Sequence, residues 1–122
     1  MCARSVIKNI DQKGNEKMDK ECRNLCDAIN TFSGIETTES CCGHGKYPYN
    51  IWFKAKDLKS LPPLLYWFDS CHCGFYGWEI IARTDCGCSP VIFMIEGGIG
   101  EAAYKEAEKI AELIKEEVKG ND

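Results

Sequence analysis

The 122-residue chain has only two histidines and four prolines, and it contains no Cys-x-x-Cys and no His-x-x-x-His knuckle. Without such knuckles the strong signature of a zinc finger or ribbon is missing, and the cysteine spacing fits none of the familiar iron–sulfur patterns. No apolar run approaches the roughly 20 residues that cross a bilayer, so no membrane partner is expected. The first residues, Met1 to Lys8, lack the long apolar stretch of a secretory leader, and the expected setting is the cytoplasm. Lysine and arginine nowhere cluster, and the formal net charge is −4. That balance argues against a general nucleic-acid binder, yet leaves room for a pocket that takes one nucleotide. Repeats and low-complexity tracts are absent as well.

Cysteine, by contrast, is abundant: there are nine. An exported small domain would carry an even set paired as disulfides. An odd count in a reducing compartment points to thiols, a metal site or redox chemistry. Cys22 and Cys26 have a plainer reading. With Leu25, Ile29 and Phe32 they follow the i, i+3, i+4, i+7 pattern of an amphipathic helix over 19–32, with Asp19 as its N-cap and Gly34 as its stop. Free cysteine packs well in cores, so this pair is expected to be buried.

Residues 1–17 read as a weakly ordered lead-in, and 18–122 as one α+β domain. A threonine-rich strand spans Ile35 to Ser40, and a second strand spans Tyr49 to Lys54. Asp57 or Ser60 caps a helix through Leu61–Phe68, whose prolines suit a first turn. Two further strands, Gly77 to Asp85 and Val91 to Glu96, are joined through 86–90 as a hairpin. The last segment, Glu101 to Lys119, is an amphipathic helix on Ala103, Ala107, Ile110, Ala111, Ile114 and Val118. The order α-β-β-α-β-β-α predicts a mostly antiparallel sheet of about four strands with helices packed on it.

Chemistry concentrates in Thr37-Thr38-Glu39-Ser40-Cys41-Cys42-Gly43-His44-Gly45. Glycine permits sharp turns and close approach to a ligand, and thiols and imidazole bind borderline metals or attack electrophiles. Thr37, Thr38, Ser40, Gly43, His44 and Gly45 are the candidate ligand-binding residues. Trp52 could add a flat aromatic wall and Arg83 a cation for a phosphate or carboxylate. For zinc the candidate ligands are Cys41, Cys42, His44, Cys71, Cys73, Cys86 and Cys88, provided that three loops meet at one end of the sheet. A cysteine hydrolase built on Cys41 or Cys42 beside His44 is a further reading, although no residue to orient the imidazole stands out.

Two resemblances add to this. Asn30 through Gly97, notably Gly34 to Gly45, Leu61-Pro62-Pro63-Leu64-Leu65-Tyr66-Trp67-Phe68-Asp69 and Ser89 to Gly97, resembles a group of small uncharacterised phage and prophage proteins. That resemblance implies a phage setting, with the host cytoplasm as its location, and no activity. Ile29-Asn30 with Thr37-Thr38-Glu39-Ser40-Cys41-Cys42-Gly43-His44 is similar to the Thr-Thr-Ser-Ser-Cys-Ser-Gly-Arg motif of the wybutosine-synthesis Tyw3 family. The match falls at Thr37, Thr38, Ser40, Cys41 and Gly43; Glu39 and Cys42 replace serines and His44 replaces the arginine. It implies a transferase that uses S-adenosylmethionine. The leading expectation is a binding protein and not an enzyme: a small domain whose 37–45 turn sequesters a host small molecule such as a nucleotide, or docks on a host protein. A zinc-stapled interaction domain and the transferase stand as alternatives.

Overall fold

The computed structural model describes residues 18–85 and 88–120. The expected lead-in over 1–17 lies outside the described residues. Helix α1 (Lys20–Ile29) precedes strands β1 (Ile35–Cys41) and β2 (Asn50–Ala55). Two short helices follow, α2 (Leu61–Leu65) and α3 (Ser70–Cys73). Strands β3 (Glu79–Asp85) and β4 (Cys88–Glu96) and the long helix α4 (Glu101–Gly120) complete the chain. The four strands form one antiparallel sheet in the order β1-β2-β4-β3. This is the expected α+β architecture.

One face of the sheet carries the core. Ile51 and Phe53 of β2 and Ile95 of β4 are fully buried there against Leu25, Cys26 and Ile29 of α1 and Ile110 and Ile114 of α4. Cys22 and Cys26 pack as the helical spacing predicts. The periodicity of α1 overshoots its observed end, because Asn30 turns out of the helix and spends its side chain on β1. Asn30 Nδ2 donates to Thr37 Oγ1 at 2.9 Å, and the Thr37 N–H donates to Asn30 Oδ1 at 2.9 Å.

The middle helix differs from its expectation. Pro62 and Pro63 sit in the first turn of α2, where a missing donor costs little, and the segment runs as a 3-10 turn (Leu58–Ser60), α2, a second 3-10 turn (Tyr66–Phe68) and α3. Asp57 caps the first of these, accepting from Ser60 N–H at 3.1 Å. Asp69 caps α3, accepting from Cys71 N–H at 3.0 Å. Strand β4 begins three residues before Val91, and Pro90 is tolerated because it lies beyond the β2 pairing, which covers Phe93 to Glu96. A missing ladder donor costs little there.

A register shift between Thr37 and Glu39 places a bulge in β1. Thr37 pairs with core-facing Phe53, whereas Glu39 pairs with Trp52, which points to the other face. Unbroken alternation would have put the Glu39 carboxylate beneath the helices; the extra residue turns it away.

Gly34 closes the α1–β1 turn at φ +80, and a Cβ there would run into the Ser60 hydroxyl. Both the left-handed backbone and the contact oppose a side chain. Gly34→Ala is expected to lower stability by about 1–3 kcal/mol, read as a lower urea midpoint at unchanged slope. An unshifted midpoint would mean that the turn re-forms around the methyl group.

Candidate functional site

The end of β1 runs into a 3-10 turn at Gly43–Gly45, where three successive residues have positive φ: Gly43 at 82°, His44 at 53° and Gly45 at 79°. His44 is the one described non-glycine residue in that region. A side chain in the left-handed region costs about 1–2 kcal/mol, so its neighbours must hold it. The turn is fixed by the thiols before it. Gly43 N–H points at Cys41 Sγ and His44 N–H at Cys42 Sγ, each at 3.3 Å. Pro48 closes over Gly43, leaving a Cβ there only 3.2 Å from its carbonyl oxygen.

Asp19 reaches this turn from the start of α1. Its carboxylate makes no cap to its own helix; Oδ2 instead accepts from Cys42 N–H at 2.9 Å and lies 4.0 Å from His44 Nε2. One donor atom from each of Asp19, Cys41 and His44 lies within 4.8 Å of the other two. The arrangement is that of a group able to hold a metal ion. A tetrahedral ion with bonds of 2.0–2.3 Å needs donors roughly 3.3–3.8 Å apart. His44, 68% exposed, has room to rotate toward the other two.

Cys42 stands beside the group without joining it. Its Sγ is 3.7 Å from His44 Nδ1, a contact suggestive of a thiolate–imidazole pair. Burial, however, raises its pKa, assisted by the nearby Asp19 carboxylate. Cys42 is therefore a neutral thiol at physiological pH and a poor nucleophile. Tyr104 of α4 closes this side; the interaction of its hydroxyl with the Cys42 thiol, followed by burial, pushes the tyrosine up to about 12.

The remaining sequence candidates are placed elsewhere. Thr37 is engaged by Asn30, Thr38 lies at the bulge, and Ser40 pairs with Ile51 and interacts with Cys22. Trp52 and Arg83 do come together, the guanidinium carbon 5.7 Å from the ring centroid. Cys73 is buried in α3 and bonded to the Phe75 backbone, while Cys71 is exposed. Neither joins the Asp19–Cys41–His44 group.

The shell expected from three loops does not assemble among the described residues, and the register gives the reason. Cys41 aligns with Asn50, Glu96 and Glu79 across one end of the sheet, whereas Cys88 pairs with Asp85 at the other. Six residues of strand separate those ends, roughly 20 Å. Cys86 itself, and the side chain of Cys88, lie outside the described residues. Asp19 and Tyr104 were missed. Asp19 reads locally as an N-cap, and nothing in the sequence marks a partner 23 residues away. Hollows open elsewhere on the surface: about 400 Å³ beside Gly34, Glu36 and Lys56, and about 360 Å³ between Phe32, Pro63, Tyr66 and Trp67.

No protein-family model, no curated protein and no solved structure matches this chain.

Proposed function

We propose that this protein is a small binding domain whose working element is the 41–44 turn, and that the turn takes a divalent ion of the zinc class. The observation that carries this reading is the convergence of Asp19, Cys41 and His44 from two separated parts of the chain. An oxygen, a sulfur and a nitrogen donor suit zinc, which accepts all three. The Gly43 N–H holds Cys41 Sγ in position, and the Cys42 N–H holds the Asp19 carboxylate in orientation, as outer partners do at metal sites.

Three protein ligands leave a fourth position open on an exposed turn. A small molecule bearing a thiolate, imidazole or carboxylate would bind there, which joins the metal reading to the small-ligand one. The neutral Cys42 thiol supports binding over covalent catalysis.

Zinc at 100 times its dissociation constant is expected to add about 2.7 kcal/mol to stability, with one ion per chain in native mass spectrometry and reversal by chelator. His44→Gly removes one ligand and also relieves the left-handed backbone. That variant should therefore melt at or above the wild-type temperature without metal and gain nothing from zinc. A zinc response as large in His44→Gly as in the wild type would sink the assignment.

A further inference from the structure

Phe32, Tyr66 and Trp67 gather around one surface hollow, and the way α2 ends explains why. Leu64 and Phe68 turn into the core, while Tyr66 is left 48% exposed. Tyr66 follows Pro62 and Pro63 at i+4 and i+3, and Trp67 follows Pro63 at i+4. That spacing places both rings on the same side as the prolines. The hollow, about 360 Å³, is lined by the two prolines, the three aromatic residues and Glu117 of α4. None of these belongs to the Asp19–Cys41–His44 group.

The rings are held as walls. Tyr66 and Trp67 meet at 80° with centroids 4.9 Å apart, so their planes form a corner. The His72 imidazole stacks on Tyr66 at 3.7 Å and 20°, and is itself 3.8 Å from the Asp69 carboxylate. His72 takes no part in the lining, so it backs the tyrosine from outside the hollow and limits its rotation. A half-exposed ring is thereby held ready, with little ordering left to do when a ligand arrives.

We infer that this corner binds a quaternary ammonium head carried by a free small molecule. Aromatic faces are negative and attract a cation lying within about 6 Å of the ring centroid. One cation set in the corner meets that limit for Tyr66 and Trp67 together, since their centroids are only 4.9 Å apart. The lining includes the carboxylate of Glu117 and no lysine, arginine or histidine, so an anion finds no cationic partner. The rings carry the selectivity, and the carboxylate adds to the field. A primary ammonium brings N–H donors that ring faces and prolines leave unsatisfied, whereas a trimethylammonium head brings none. A second hollow of about 300 Å³ shares Phe32 and Pro63 and adds Ser33, Lys59 and Ser60, polar groups suited to the short tail of such a molecule.

Choline titrated into the full-length protein at constant ionic strength tests the assignment by nuclear magnetic resonance. The Trp67 indole N–H should shift saturably, and the choline methyl signal should move upfield under the ring currents. The neutral isostere, in which carbon replaces the nitrogen, should bind about tenfold more weakly, the effect of two partly exposed cation–ring contacts. Equal affinity for the two would make the hollow a plain apolar one and overturn the proposal, as would a Trp67 indole that choline leaves unmoved. Tyr66→Leu keeps apolar bulk and removes the ring; it should weaken choline several-fold and leave the isostere unchanged. Unchanged choline affinity in that variant, once shown to be folded, rejects the corner. If the variant does not fold, the wild-type comparison of choline with its isostere decides. The shifts should persist in chelator, so a failure of the metal reading leaves this site standing. A trimethyl-lysine peptide that bound more tightly than choline would move the ligand to another protein and overturn the small-molecule source.

Discussion

Tyr49→Ala is expected to cost about 3–5 kcal/mol, the range for deleting a large buried aromatic, which is a large part of the stability of a domain this size. Tyr49 is fully buried just before β2. Its ring meets Trp78 edge-on at 5.5 Å and lies 6.4 Å from Tyr104. Trp78 is itself wedged over Gly97, where no Cβ would fit, and is held by Glu106 Oε1 at 2.8 Å. The tyrosine therefore joins the start of β2, the entry to β3 and the first turns of α4. Its backbone extends the β2–β4 ladder through Gly97 and Gly98, which alanine would preserve, so the loss isolates the side chain. Tyr49→Phe separates the hydroxyl from the ring. That hydroxyl donates to the Glu21 carbonyl at 2.9 Å, and its removal should cost only about 1 kcal/mol. Urea unfolding of both variants measures the two terms; equal costs would show that the ring contributes little beyond its hydrogen bond.

A steep loss of stability above pH 9 is the second large effect. Burial holds the Cys22 thiol in its neutral form, pushing its pKa from 9.0 up to about 12, with the Cys26 thiol nearby adding to the shift. Tyr49, which interacts with Cys22, is also raised by burial above its ordinary value of 10.0. Both groups ionise more readily once unfolded, so above pH 9 the unfolded chain binds fewer protons than the native one. The stabilisation is complete below pH 9 and is lost as pH climbs toward 12. Each raised group contributes a slope of about 1.4 kcal/mol per pH unit, beginning near pH 9 for Cys22 and near pH 10 for Tyr49. Denaturant midpoints under reductant from pH 8 to 11 should fall accordingly, and Cys22→Ala should make the fall between pH 9 and 10 shallower, leaving the part that the raised Cys42 thiol contributes. A flat profile would mean that neither group is as buried as the fold requires.

The sequence disclosed the helices and strands wherever one periodicity ran undisturbed. Cys22, Leu25, Cys26 and Ile29 announce α1, and the alanine and isoleucine stripe announces α4. It failed where a local rule was broken for a distant reason. Nothing in Thr37-Thr38-Glu39 states that one residue is extra; only the β2 partner defines the bulge. Pro62 and Pro63 mark the first turn of α2, yet α3 beyond it has no apolar period to reveal it. For the candidate site the turn was legible, because adjacent thiols, histidine and glycine are unusual in so short a span. Its third member was not, since Asp19 at the head of a helix satisfies every local expectation of a cap while serving a different part of the fold.

The two ends of α1 have one more consequence. Asn30 occupies the Thr37 N–H and Asp19 the Cys42 N–H, and the Thr38 bulge interrupts the run between them. Strand β1 is the outermost on its side, the place where a foreign strand would add itself in fibril growth. An exposed flat margin is an aggregation template. Here two polar side chains on one helix and a single inserted residue deny it a continuous row of donors, so resistance to cross-β assembly on this flank rests on α1 staying docked.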